Sequence, residues 1–332
     1  MPGPIILDIG TTHTKVVQLT AARRRRLLVD AAIAPNAPLP SHWAPSPFAP
    51  SADTEPGTIT RSLTRLADRL RHGLELARLL APELRGNRVV AMLPDEHYVY
   101  RVEQPSRSDA NAPADGTPIE AVTDHHWTRI GAPPCDCDLQ RLSAGLRIGI
   151  DRDAVRQVRT IVDSLGWDLD SVISPISAIA GADRTDGAGL SLIDGAGGTR
   201  IVLHVDGTPI LTRRLRNIVG SASIRPNEVR FGIEPRDRCG PKQRQERQNL
   251  LITEIERTIA YVARRAPLSI VRGIVHGPVA FDTTALERLS RATHVDWHAW
   301  APPDDLVVDP IEDALPLYSV ALSAALVTGV DS

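Results

Sequence analysis

With 332 residues, of which 42% are apolar and 23% charged, the chain has the make-up of a soluble globular protein with volume for two cores. A net charge of −2 and a pI near 6.6 exclude a general attraction to nucleic acid or to anionic lipid. Three cysteines, Cys135, Cys137 and Cys239, cannot build a disulfide framework and point to a reducing compartment.

No apolar run approaches the roughly 20 residues that span a bilayer, and the first residues lack a charged segment followed by a hydrophobic one. The expectation is a cytosolic chain, with no direct membrane insertion and any membrane association made through a partner. Only Lys15 and Lys242 are lysines; the other 36 of 38 basic residues are arginine.

In chain order, Ile5–Leu7 is a short apolar run that stops at Asp8 and Gly10, as a strand ending in a tight turn does. "TKVVQL" reads as a second strand. Between them Gly10 admits close backbone approach to a ligand. Thr11, Thr12 and Thr14 offer hydroxyls, Lys15 a compact cation, and Asp8 a carboxylate able to hold Mg²⁺ through water. That set suits a phosphate cradle; an ordinary threonine-rich hairpin is the bland reading, and His13 then only fills the turn.

"ARRRRLLVDAAIAP" supplies a third strand after a solvated arginine turn. Residues 35–56 carry seven prolines and read as an extended surface loop. From Thr58 a helix follows, with Leu63, Leu66, Leu70 and Leu74 at three- and four-residue spacing, until Pro82 ends it. "NRVVAMLP" is a buried strand and "YVYRVEQP" the next. Residues 105–117 form another loop. In "DHHWTRIGAPPCDCD" the thiols lie closer together than zinc ligands usually do, so a polar loop is preferred to a metal site built on His125, His126, Cys135 and Cys137. Leu146–Ile150 is a strand that leads into a helix with Val155, Val158, Ile161, Val162 and Leu165 on one face. Gly166 stops that helix, and a strand ends near Ile173.

The opening pattern then returns. "LSLIDGAGGTRIVLHVDGTPILTRRL" is an apolar strand to Asp194, a glycine turn with Gly195, Gly197, Gly198 and Thr199, a strand, an Asp206-Gly207 hairpin turn and another strand. Two such hairpins, each heading half of the chain, are what a nucleotide clasped between related domains requires. Two acids and two sets of turn amides must converge on Mg²⁺ and phosphate.

On these residues the chain resembles the actin-like superfamily of actin, Hsp70 chaperones, sugar kinases and FtsA. "LDIGTTHTKVVQL" is similar to its first phosphate motif and "LIDGAGGTRIVL" to its second. Within it the resemblance is to the PilM family of type IV pilus assembly proteins and its MshI and GspL relatives. "RVVAMLPDEHYVYRVEQP", "LITEIERTIAYVARR", "GIVHGPVA" and "DALPLYSVALSAAL" fall in that family's order.

The resemblance implies a two-lobed, ribonuclease H-like α/β fold. Residues 1–95 would be the first lobe's core, 96–175 an inserted subdomain and the return, and 176–332 the second lobe, with a C-terminal helix at about 314–328 packing back toward the first. It also implies a cytoplasmic scaffold for pilus or secretion-system biogenesis, working with other pilus assembly proteins and binding the N-terminal tail of a PilN-like inner-membrane protein. The implied cofactors are ATP and Mg²⁺, with Glu254, Arg257 and Gly277 added to the nucleotide site.

Two departures weaken those motifs: Asp194 is followed directly by glycine, as though one residue were missing, and Gly277 is followed by Pro278, which removes an amide. Catalytic residues are not assigned; slow ATPase activity is the upper limit. The alternatives are a small-molecule kinase, which lacks a visible acceptor site, and an FtsA-like filament, whose basic amphipathic tail has no counterpart in "VALSAALVTGVDS". Trp297 and Trp300 read as packing residues before partner contacts.

Overall fold

The computed structural model describes residues 2–10, 13–22, 25–36, 71–75, 77–103, 125–130, 145–183, 186–195, 198–215, 222–223, 236–237, 241–264, 266 and 268–328. Thr11, Thr12, Gly197, all three cysteines, the proline-rich loop beyond residue 36, the predicted helix from Thr58 to residue 70 and the loop at 105–117 lie outside the described residues.

Two sheets carry the fold. The first runs β16-β3-β2-β1-β4-β8, with β1 Pro2–Ile9, β2 His13–Ala22, β3 Arg25–Pro35, β4 Arg88–Met92, β8 Asp168–Val172 and β16 Leu306–Val307. The second runs β11-β10-β9-β14-β15, with β9 Ala188–Gly195, β10 Gly198–Val205, β11 Thr208–Leu215, β14 Ile270–His276 and β15 Asp296–Ala299. In each, three antiparallel strands of a meander are followed by two parallel ones. The order β3-β2-β1-β4-β8 is therefore matched strand for strand by β11-β10-β9-β14-β15. A three-stranded antiparallel sheet, β5 Tyr98–Glu103, β7 Gly145–Asp151 and β6 His125–Ile130 in the order β5-β7-β6, stands beside the first lobe, and β12 Ala222–Ser223 pairs antiparallel with β13 Arg236–Asp237. Tyr98 pins it there: its hydroxyl donates to the Ile173 carbonyl at 2.7 Å and accepts from the Leu93 amide at 2.9 Å.

Local chemistry sets the helix ends. α1 comprises the helical residues 71–75 and 77–80. In α2, Arg152–Ser164, the Asp151 carboxylate accepts from the Asp153 and Ala154 amides, and Gly166 at φ +74 lets the chain leave. In α3, Pro175–Ala182, Ser174 caps the start and Pro175 occupies a position where its missing N–H costs nothing. α4 is Pro241–Ala263, α5 is Thr283–Thr293 and α6 is Leu315–Thr328. The Asp206-Gly207 turn joining β10 to β11 has both residues at positive φ, as a right-twisted two-residue hairpin requires.

Each sheet is covered on both faces. Leu74, Ala77, Ala154, Val158, Ile161 and Val162 pack on one face of the first sheet, and Leu251, Ile255, Leu286 and Leu289 on one face of the second. The two inner faces share a core with α3 and α6, in which Ile6, Val17, Val202 and Ile274 belong to one cluster with Leu317, Leu322 and Ala325. α6 is apolar all round because it is enclosed by both sheets.

The stretch Ile311–Thr328 is 18 residues long with mean hydropathy 1.3, long and apolar enough to cross a membrane by composition alone. The expectation that no apolar run approaches that length is thus corrected, and 61% of the stretch is buried inside the molecule. β16, from a segment assigned by sequence to the second lobe, adds to the first sheet's edge beside β3. Trp297 and Trp300 are 3% and 8% exposed, so both are packing residues.

Candidate functional site

The strand pairing dictates how each acid is held. Asp8 and Lys15 are register partners across β1 and β2, and Lys15 Nζ donates to Asp8 Oδ2 at 2.7 Å. Asp194 and Thr199 are register partners across β9 and β10, and Thr199 Oγ1 donates to Asp194 Oδ1 at 2.9 Å. Each carboxylate thus bonds to the residue facing it across its own hairpin. The first hairpin spans seven positions between those partners and the second five, so the second turn is two residues tighter. The shortening falls in the turn, and the acid keeps its place in the ladder.

The two hairpins open onto one cavity of about 160 Å³. Asp8, Gly10 and Lys15 line it from the first lobe; Asp194, Gly195, Gly198, Thr199 and Gly277 line it from the second. His13 is also on its wall. Glu254 and Arg257 are not brought to it: they sit further along α4, where Glu254 pairs with Arg213 and with Arg257. A wider hollow of about 950 Å³ lies on the second lobe between Trp297, Trp300 and Pro302, and it contains none of the hairpin residues.

Asp194 is the electrostatic centre of the second hairpin. Its side chain is fully buried, and Arg247 of α4 donates to Oδ1 at 2.9 Å. Burial pushes its carboxyl pKa up, against the opposing pull of Arg247 and Thr199. Oδ2 is buried and has no side-chain donor, while the Val279 backbone amide also acts on the carboxylate. Gly277 closes the turn beneath it. At φ +96, a Cβ on this residue would lie 2.0 Å from the Asp194 carbonyl oxygen, so only glycine fits. Pro278 then starts the 3₁₀ turn Pro278–Phe281, again at a position where no amide is missed.

Several residues here escaped the sequence reading. Asn36 braces the first turn: its Nδ2 donates to the Gly10 carbonyl at 2.8 Å, while its Oδ1 accepts from Thr14 Oγ1 at 2.8 Å. It opens a proline-rich stretch and carries no local signal. Arg247 lies two helical turns before Glu254 on the same helix, α4, and it is this residue whose guanidinium reaches Asp194. Arg200 and Arg214 of the second lobe, with Asp95 of the first, also line the cavity. Their convergence becomes visible only once the β10–β11 register is known.

Two lobes of matching topology, each presenting an acidic hairpin to a shared cleft, define an actin-like α/β protein. The solved structure of the PilM-PilN type IV pilus biogenesis complex is similar over 97% of this chain and 97% of its own, at a TM-score of 0.59 and 18% identity. The ethanolamine utilization protein EutJ from Carboxydothermus hydrogenoformans gives a TM-score of 0.43 at 12% identity, covering 98% and 90% of the two chains. A Bacteroides thetaiotaomicron protein with an actin-like ATPase fold gives 0.43 at 7% identity, covering 96% and 95%. No protein-family model and no curated protein sequence matches the chain. The fold is thus actin-like and PilM-like; function has to be argued from the site.

Proposed function

We propose that this chain is an actin-like scaffold of a type IV pilus or related secretion machine, binding the cytoplasmic N-terminal tail of a PilN-like inner-membrane protein and taking ATP in the cleft. The observation that carries the reading is the meeting of both acidic hairpins at one cavity, in a chain whose whole length follows the fold of PilM. The protein would work in the cytoplasm, reaching the inner membrane through that partner and acting beside other pilus assembly proteins. Its tail-binding groove would lie between the first lobe's core and the small sheet β5-β7-β6.

The cleft residues suit a nucleotide phosphate. Lys15 supplies a point charge, and Gly10, Gly195 and Gly198 leave the turns open to close approach. Mg²⁺, held through water by Asp8 and Asp194, would neutralise phosphate charge there. The role we assign to nucleotide is to bias the lobes between arrangements. Its effect on partner affinity is limited by its differential affinity for those arrangements.

Calorimetric titration with the PilN-like tail peptide, with and without ATP and Mg²⁺, tests this. The expected result is saturable peptide binding whose affinity depends on nucleotide. Phosphorylation of a small-molecule acceptor, or no peptide binding in either condition, would overturn it.

A further inference from the structure

Tyr98 and Tyr100 stand two residues apart on β5, so their rings share one face of the small sheet and stack with centroids 6.0 Å apart. Tyr98 is spent on the first lobe's backbone. Tyr100 meets the other lobe: the Arg200 guanidinium of β10 lies over its ring, 4.4 Å from the centroid. The same arginine donates from Nη2 to Asp95 Oδ2 at 2.6 Å, in the 3₁₀ turn Asp95–His97 that runs straight into β5. Its Nη1 donates to Thr212 of β11 at 3.0 Å, and its side chain is 11% exposed. β11 itself lies against β5 and β7, so the two backbones are already close where Arg200 reaches over. One second-lobe side chain thus grips both the entry to β5 and the ring it carries. Asp95 also lies 3.7 Å from Arg214 Nε, a longer contact that loss of Arg200 leaves standing.

The grip sits on the cleft wall. Asp95 lines the cleft from the first lobe and Arg200 from the second, joined by Pro175 and Ile176 at the start of α3. Ser174, which caps that helix, brings its Oγ to 3.3 Å from the Tyr100 hydroxyl. At about 160 Å³ the cleft is below the roughly 300 Å³ at which ligand pockets begin, so a nucleotide that enters moves the walls apart. Arg200 and Asp95 stand on opposite walls and part with them. The small sheet then loses this hold on the second lobe. Filling of the cleft and the position of the sheet are in this way linked through contacts that differ between the two arrangements.

We infer that Arg200 is a positioning residue that holds the small sheet against the second lobe, so that what fills the cleft sets the position of the sheet beside which the partner's tail docks. The regulation of tail binding rests on the scaffold reading above; the anchoring of the sheet by Arg200 does not.

Amide hydrogen exchange on the full chain without ligand tests the anchor. Arg200→Met keeps the apolar stem and removes the charge, and it is expected to speed exchange in β5 and β7 by about fivefold while β1 and β9 keep their wild-type rates. Asp95→Asn weakens the same grip from the opposite lobe and is expected to act in the same direction. The double variant should exchange within about twofold of Arg200→Met, because the two changes remove one shared interaction. Unchanged exchange in β5 and β7, acceleration spread equally over β1 and β9, or fully additive effects would overturn the anchor. Titration with the PilN-like tail peptide, with and without ATP and Mg²⁺, tests the linkage. Wild type is expected to show a peptide affinity that nucleotide changes by about fivefold or more, and Arg200→Met to bind the peptide with a nucleotide effect below about twofold. A nucleotide effect absent from wild type, or one that Arg200→Met retains in full, overturns the linkage. If wild type binds no peptide or no ATP, the scaffold reading fails by itself, and the exchange rates still decide whether Arg200 holds the sheet.

Discussion

At the scale of single residues, the second hairpin is built on contacts that tolerate little change. Gly277 combines a left-handed φ with a backbone oxygen where a side chain would begin. Gly277→Ala is expected to destabilise the chain by about 3 kcal/mol, read as a fall in the urea midpoint. A second site is sensitive to acid. Burial pushes His276 down to about 3, assisted by neighbouring His204 and opposed by Asp183, and burial lowers His204 as well. The His276 ring stays neutral in the folded state down to about pH 3, while the unfolded chain takes up a proton below the ordinary value of 6.5. Stability is thus intact above pH 6.5 and falls below it by up to about 1.4 kcal/mol per pH unit for His276, continuing toward pH 3, with His204 adding in the same direction. Denaturant midpoints measured from pH 7 to 5 should show this slope, and His276→Asn should flatten it. The acids and Lys15 were legible in the sequence because their chemistry is local to two hairpins. Asn36, Arg247 and Asp95 were not, since each reaches the site through a tertiary contact that no spacing encodes.

At the scale of elements, α6 decides cooperativity. It lies between the sheets, and the inner core it completes takes residues from both lobes. Leu322, fully buried there, should cost about 2–5 kcal/mol when cut to alanine. Because the core is shared, Leu322→Ala should lower the unfolding transition of both lobes together, with Trp167 fluorescence from the first lobe and far-ultraviolet circular dichroism giving the same midpoint. Two separate transitions would mean that the lobes unfold independently. The hairpins and the strand-helix-strand unit were readable from period and turn chemistry, as the Asp206-Gly207 turn and the stop at Gly166 illustrate. The place of α6 was harder. A helix apolar on every side announces burial without saying against what, and the two-residue β16 is too short to leave a pattern.

At the scale of the whole molecule, the matching strand orders and the shared inner core make one body whose cleft lies where the two acidic hairpins meet. The repeat was visible because Asp194 restates Asp8 with a glycine turn and an apolar strand on either side. The Asp95–Arg200 contact across the cleft was not, because it joins residues 105 positions apart in the chain. The most direct test of the cleft's role is equilibrium binding of a fluorescent ATP analogue with Mg²⁺, compared between wild type and Lys15→Ala. The account predicts saturable binding to wild type that Lys15→Ala weakens by at least about tenfold, through loss of a charge-assisted phosphate contact. A wild-type chain that binds no nucleotide, or binding that Lys15→Ala leaves intact, would contradict it.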